Sequence, residues 1–92
     1  MIWTIDYTET AIRQLKKLGK PIARRILHFL REQVASSENP RALPQYRSMT
    51  GSFRGLCRFR VARDYRVICD IQDQEIKILV IKIGHRREVY DR

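Results

Sequence analysis

The sequence has few of the residues that characterise disulfide-rich and metal-binding proteins. It contains two cysteines, Cys57 and Cys69, whose separation does not match a zinc site. In a reducing compartment we expect both thiols to be small core residues rather than a disulfide. No carboxylate cluster, glycine-rich nucleotide loop or metal-ligand spacing is present. We therefore expect neither a metal nor a cofactor.

Long hydrophobic runs are also missing. No apolar segment approaches the roughly 20 residues that a membrane span requires. The opening stretch MIWTIDYTET has neither the basic start nor the apolar centre of a signal peptide. We therefore expect a cytoplasmic protein with no membrane partner. At 92 residues the chain has the length of one small domain, and we predict a single domain over residues 1–92.

Acidic residues are scarce relative to basic ones. Ten Asp and Glu are present beside 19 Lys and Arg, which gives a formal net charge of +9. A small body with this charge attracts polyanions. We expect nucleic acid as the first class of partner and an acidic protein as the second.

The periodicity of the apolar residues predicts an α+β fold. Alternation over residues 2–7 predicts a first strand, and apolar residues at helical spacing predict a helix that Thr8 caps and Gly19 ends. A second helix begins at Pro21 and stops in the stretch SSENP. Further strands are predicted near residues 56–62, 65–72 and 75–83. We expect two N-terminal helices packed on one face of a small, mostly antiparallel four-stranded sheet.

The loop between the strands near 56–62 and 65–72 decides which side chains share a face. A loop of three residues, 62–64, puts the apolar residues of both strands on one face, whereas a two-residue loop divides them between the faces. Burial therefore favours three apolar pairs: Val61–Tyr65, Phe59–Val67 and Cys57–Cys69. The same register places Arg60 opposite Arg66 on the other face, with Arg58 next along the strand.

Arginines that face each other across strands repel one another. Either their long side chains extend into water, or they surround a site for an anion. We favour the anion site, because guanidinium groups bind phosphate through paired hydrogen bonds and stabilise charge that develops on it. Gly84 permits a sharp exit from the last strand, which brings Arg86, Arg87 and Tyr90 towards this face.

The same face carries apolar residues as well: Ile68, Leu79 and Ile81. We expect a C-terminal segment, the stems of the arginines or a partner to cover them. A tight turn at Asp73-Gln74 predicts that Asp70 pairs with Lys77 across the last two strands.

The second helix has basic residues on its outer face: Arg24, Arg25, His28 and Arg31. We expect a solvated surface here, with contact to a phosphate backbone as the alternative. Because His28 is predicted to lie on the other side of the sheet from Arg58, we do not expect it to form a catalytic pair with His85.

These patterns describe a basic domain with an arginine-lined anion site, which serves binding as well as catalysis. In addition, the helix pair, the stretch SMTGSFRGLCRFRVARDYRV and the ending IGHRREVY occur in the order of the RelE branch of the RelE/ParE toxin superfamily. The chain resembles this family over nearly its whole length.

The resemblance implies a toxin of a bacterial type II toxin–antitoxin system. It implies cleavage of mRNA in the ribosomal A site, by attack of a 2′-hydroxyl on the adjacent phosphate and without a metal. The implied partners are an acidic, partly disordered cognate antitoxin, the ribosome with its mRNA, and operator DNA only as the toxin–antitoxin complex. The alternatives are a ParE-like inhibitor of DNA gyrase and a non-catalytic co-repressor that binds nucleic acid.

The resemblance also implies roles for individual residues. The catalytic positions are Arg58, Arg60, Arg66, Arg86 and Tyr90. We assign further RNA contacts to Arg54, Arg63, His85 and Arg87, and antitoxin contacts to Ile68, Leu79 and Ile81. The best-known RelE enzyme has lysines at the positions of Arg58 and Arg60. Because arginine scarcely deprotonates, the resemblance implies charge stabilisation by this pair and leaves the general base open between Tyr90 and the ribosomal RNA.

Overall fold

A computed structural model describes residues 2–90 as an α+β fold with a five-stranded sheet in the order β1-β5-β4-β3-β2. The strands are β1 (Thr4–Tyr7), β2 (Tyr46–Ser48), β3 (Cys57–Val61), β4 (Tyr65–Gln72) and β5 (Lys77–His85). β1 runs parallel to β5, and all other neighbouring strands are antiparallel. The predicted fold class is confirmed, but the predicted four-stranded sheet is wrong.

Two helices, α1 (Glu9–Leu18) and α2 (Lys20–Phe29), pack on one face of the sheet, and α2 continues into a π-helical segment, Leu30–Val34. The Thr8 hydroxyl caps α1 by accepting a hydrogen bond from the Ala11 N–H at 3.1 Å, and it donates to the carbonyl of Ile81 in β5 at 2.8 Å. This one side chain therefore fixes the start of α1 against the sheet. Within residues 2–90, no helix is long and apolar enough to span a membrane.

The strand that the prediction missed is β2, at the edge of the sheet beside β3. It has three residues, too few to show an alternating pattern, and two of them are exposed. Tyr46 lies on the helix side. Its ring packs edge-to-face with that of the fully buried Phe59, and the two ring centres are 5.8 Å apart. As a consequence, Arg47 lies opposite Arg58 on the other face.

The register of β3 and β4 is the one that burial predicts. The three apolar pairs are confirmed, and Arg60 lies opposite Arg66. The loop has the predicted three residues, and Ala62 and Arg63 turn the chain with φ values of 51° and 66°. Backbone in this region is unfavourable for residues other than glycine, so the packing on either side of the loop maintains it.

The register of β4 and β5 differs from the prediction. The turn is a 3₁₀ segment, Asp73–Glu75, followed by Ile76 at φ 50°. As a result, Asp70 lies opposite Leu79 rather than Lys77, and Lys77 instead forms an ion pair with Asp6 at 3.4 Å. The register then shifts along β5, since Cys69 lies opposite Val80 and Ile68 lies opposite Lys82. Ile81 is the extra residue of this bulge.

The pKa values of the two cysteines reflect their burial in the core. They lie opposite each other in β3 and β4 as free, buried thiols, and burial raises the pKa of Cys57 to about 12 and also raises that of Cys69. An unfolded cysteine has a pKa of about 8.5. The stability that the neutral thiols contribute is therefore complete below that pH and is lost as the pH rises towards the folded value.

We predict that the free energy of unfolding of the wild type falls, relative to a Cys57→Ala/Cys69→Ala variant, by up to about 1.4 kcal/mol per thiol for each pH unit above about 8.5. Urea titrations of both proteins between pH 7 and about 10 measure this difference. A difference between the two proteins that does not change with pH would contradict burial of the thiols.

Candidate nucleic-acid interface

Basic residues lie in register on the sheet face that points away from the helices. We call this the arginine face and define it by Arg47 in β2, Arg58 and Arg60 in β3, Arg66 in β4, and Lys82 in β5. Arg47 lies opposite Arg58, and Arg60 lies opposite Arg66. Side chains this close repel one another unless an anion lies between them.

Four of these arginines, together with Pro44 and Gln45, line a cleft of about 100 Å³: Arg47, Arg58, Arg60 and Arg66. Backbone carbonyls orient two of them. Arg66 donates from Nη1 to the carbonyls of Arg63 and Tyr65 at 2.8 and 3.0 Å, and Arg47 donates to that of Tyr46 at 2.7 Å. Within residues 2–90, none of the four pairs with a carboxylate. The carbonyls therefore fix the guanidinium groups without neutralising their charge.

Tyr90 lies at the border of this face. Its ring centre is 5.6 Å from Cζ of Arg58, and the ring meets Phe53 edge-on at 6.3 Å. The cation–π contact and the aromatic contact together hold a half-buried phenol beside the arginines.

Gly84 allows the C-terminal segment to return over the sheet. The backbone N–H of Val89 donates to the carbonyl of His85 at 2.9 Å, which turns the chain directly after β5. A Cβ atom at Gly84 would lie 3.4 Å from Cβ of Val89. The C-terminal segment that carries Tyr90 therefore packs within van der Waals distance of β5 at Gly84.

A second hydrophobic cluster lies among the basic residues. Ile68 is fully buried there by Met49 and Val89, with Phe53 and Leu56 packed against them. Ile68, which we expected to contact the antitoxin, is therefore already covered by the loop before β3 and by the C-terminal segment. Of the three ways in which we expected these apolar residues to be covered, the structure shows the C-terminal segment at Ile68. The other two residues of the stripe, Leu79 and Ile81, are half-buried.

Arg86 lies next to the loop between β3 and β4. Its Nε is 3.6 Å from Oδ1 of Asp64, and its backbone N–H donates to the carbonyl of the same residue at 2.7 Å. Both side chains are about half exposed, at 50% and 42%. A pair this exposed contributes little to stability, so an incoming phosphate competes for the guanidinium at small cost.

The remaining predicted RNA contacts are more scattered. Arg54, Arg63 and Arg87 are exposed, and Arg63 lies at the tip of the loop between β3 and β4. His85 does not lie with the arginines, because it is opposite Tyr65 on the helix side, where the two rings meet edge-on at 5.7 Å. Its Nδ1 accepts the N–H of Arg87 at 3.2 Å. The bulge at Ile81 accounts for this placement, because it reverses the alternation of side chains along β5.

Three residues of the interface were not predicted from the sequence: Arg47, Lys82 and Phe53. Arg47 belongs to a strand without a periodic pattern, and Lys82 reaches the arginine face only because of the bulge at Ile81. Nζ of Lys82 lies 6.0 Å from the ring centre of Phe53. Within residues 2–90, no three His, Cys, Asp or Glu side chains lie together as metal ligands would.

The chain matches a known protein family over most of its length. The model of the ParE toxin of type II toxin–antitoxin systems, parDE, matches residues 5–90. Toxin RelG of Mycobacterium tuberculosis is 26% identical over an alignment of 95 residues, which includes the whole of both chains.

Solved structures show the same fold. The toxin–antitoxin complex RelBE2 from Mycobacterium tuberculosis has a chain that matches with a TM-score of 0.77 and 22% identity, over 94% of this chain and 100% of that chain. The archaeal RelE–RelB complex from Pyrococcus horikoshii matches with a TM-score of 0.70 and 24% identity, over 97% and 100%. The chain therefore belongs to the ParE toxin family of type II toxin–antitoxin systems, as a RelE-like toxin of the RelE/ParE superfamily.

Proposed function

We propose that this toxin is an mRNA endoribonuclease that acts on the ribosome, in the A site, without a metal ion. One observation carries the proposal: four arginines in register surround a cleft, and no carboxylate within residues 2–90 pairs with them. Tyr90 lies beside this cleft, 5.6 Å from Arg58. The arrangement suits a phosphate that gains negative charge during a reaction.

The reaction that fits these groups is transesterification within the RNA strand. The 2′-hydroxyl oxygen bonds to the adjacent phosphorus, the bond from phosphorus to the 5′-oxygen breaks, and the products are a 2′,3′-cyclic phosphate and a 5′-hydroxyl. One proton leaves the attacking oxygen and one reaches the departing oxygen. Metal-free chemistry of this kind depends on positioning and on stabilisation of charge.

Individual residues take distinct roles in this scheme. Arg66 and Arg86 hold the scissile phosphate and stabilise its developing charge, and Arg86 exchanges Asp64 for the phosphate. Arg58 and Arg60 supply the positive field that favours ionisation of the 2′-hydroxyl. Neither accepts a proton, because arginine stays charged. Tyr90 stacks on a base or donates the proton to the leaving oxygen, and the ribosomal RNA is the other candidate for proton transfer.

The partners follow from the same surface. The RelBE2 and RelE–RelB structures are toxin–antitoxin complexes, and we propose that an acidic, partly disordered cognate antitoxin binds this chain as well. It covers the arginine face electrostatically and contacts Leu79 and Ile81, the half-buried residues of the apolar stripe. Operator DNA is bound only by the toxin–antitoxin complex, and the toxin acts in the cytoplasm, where its ribosomes are.

Gyrase inhibition is the second candidate function, since the family model that matches residues 5–90 is that of ParE. A gyrase inhibitor needs neither an arginine-lined phosphate cleft nor a tyrosine held beside it, so the arginine face argues for the nuclease.

Tyr90→Phe tests the role of the phenol. The variant keeps the ring contacts with Arg58 and Phe53 and removes only the hydroxyl, so we expect mRNA cleavage on programmed ribosomes to slow by about 10²-fold or more while the fold is kept. Primer extension on the mRNA measures the rate. Wild-type protein that cuts no mRNA but inhibits DNA supercoiling by gyrase would contradict the proposed function.

Arg86→Ala tests phosphate stabilisation, and we expect a loss of about 10²- to 10³-fold in the rate of cleavage. Two variants serve as controls. Asp64→Asn removes the ion pair and keeps the guanidinium, so it should cut at least as fast as the wild type. Arg13→Ala removes an exposed arginine of α1 outside the site and should leave the rate unchanged. Equal losses in Arg86→Ala and Asp64→Asn would show that the ion pair is structural.

Leu79→Asn tests the antitoxin surface. We expect the complex with the antitoxin encoded beside the toxin to weaken by about 10-fold or more, because an apolar contact is replaced by a polar group. Calorimetry measures the affinity, and Ile12→Asn, at an exposed isoleucine of α1, is the matched control. An unchanged affinity in Leu79→Asn, with its thermal unfolding intact, would exclude this contact.

A further inference from the structure

A second basic cleft lies on the helix side of the sheet, and we call it the helix cleft. Its volume is about 420 Å³. Helix α2 supplies Arg24, Arg25 and His28 to its lining, and the edge of the sheet supplies Arg60 and Gln45. The sequence alone favoured a solvated surface for the basic residues of α2. In the structure, three of these four residues, Arg24, Arg25 and His28, line one cleft together with Arg60.

The helix cleft adjoins the cleft on the arginine face. β2 pairs only with Cys57–Phe59, so the end of β3 extends past it. There the backbone N–H of Arg60 donates to the carbonyl of Gln45 at 3.0 Å. Both residues line both clefts. The two clefts therefore meet at this edge of the sheet.

The helix cleft has basic residues without acidic neighbours in the part of the chain that the structure describes. No Asp or Glu of residues 2–90 lines it. Within residues 2–90, Arg24, Arg25 and Arg60 form no ion pair, and the Glu32 carboxylate at the other end of the helical segment pairs with Arg31 at 3.3 Å. Basic groups collected without acidic partners repel one another, so an anion that enters the cleft relieves this repulsion.

We infer that the helix cleft is a second phosphate-binding site, which holds the sugar–phosphate backbone of the RNA strand whose scissile phosphate lies on the arginine face. This inference rests on the proposed function, because it extends the path of the same strand. An RNA strand is the occupant that the geometry favours, since Arg60 belongs to both clefts and a continuous basic groove tracks a nucleic-acid backbone. Guanidinium groups also match phosphate oxygens in pairs.

The test measures binding apart from cleavage, with fluorescein-labelled 2′-O-methyl RNA, which lacks the attacking hydroxyl. An oligonucleotide of about 3 nucleotides is chosen to occupy only the cleft on the arginine face, and one of about 12 nucleotides is chosen to reach both clefts. The variant Arg24→Gln/Arg25→Gln removes two charges from the helix cleft. The matched control, Arg13→Gln/Lys16→Gln, removes two charges from exposed positions of α1 outside it.

For the longer RNA, we expect the Arg24→Gln/Arg25→Gln variant to bind about 10-fold more weakly at moderate salt. The slope of log affinity against log salt concentration should become shallower by about 1.4, because the variant loses two phosphate contacts and each contributes about 0.7 to the slope for a single strand. The shorter RNA should bind the variant and the wild type alike, and the control should bind both RNAs as the wild type does.

Three outcomes would overturn the inference. The control variant could lose as much affinity for the longer RNA as Arg24→Gln/Arg25→Gln does, or that variant could lose as much affinity for the shorter RNA as for the longer one. The third is a poly-glutamate peptide that binds as tightly as the longer RNA and depends equally on Arg24 and Arg25. Cleavage by the wild type on programmed ribosomes is measured in parallel. Failure to cleave there would overturn the proposed function, whereas the oligonucleotide series alone decides the second site.

Discussion

The pairing of β3 with β4 determines both the hydrophobic core and the arginine face. The loop at 62–64, with φ values of 51° and 66° at Ala62 and Arg63, sets a register that buries Phe59 and Val67 on one face. Side chains alternate along a strand, so the same register directs Arg60 and Arg66 to the other face. A shift of one residue would bury the arginines and expose the core, and the cost of burying those charges excludes it. The hydrophobic core therefore positions the anion site.

The anion site combines fixed geometry with arginines that no carboxylate of residues 2–90 neutralises in the cleft of the arginine face. Backbone carbonyls orient Arg66 and Arg47, and Arg86 pairs with the half-exposed carboxylate of Asp64. The second hydrophobic cluster, built on Ile68, holds Tyr90 beside Arg58. Groups that are oriented before the substrate binds need little reorganisation when negative charge develops, which is why such a surface suits phosphoryl chemistry.

How much could be predicted from the sequence depended on whether a residue lies in a strong pattern. The β3–β4 register follows from the alternation around Phe59 and Val67, and the helices follow from their apolar spacing and from Thr8. Arg47 could not be predicted, because three residues of edge strand carry no period. Lys82 depends on the bulge at Ile81, which tertiary packing selects. Burial of Ile68 depends on how two distant segments fold back over the sheet, which no local pattern encodes.

We propose that Arg66 of the arginine face and Arg86 bind one RNA phosphate together. The most direct test is a cryo-electron microscopy map of the toxin on a ribosome whose mRNA is 2′-O-methylated at the cleavage site. We expect the scissile phosphate on the arginine face, with its oxygens about 3 Å from the guanidinium groups of Arg66 and Arg86. A phosphate bound elsewhere on the toxin, with these arginines in solvent, would show that the arginine face is not the catalytic site.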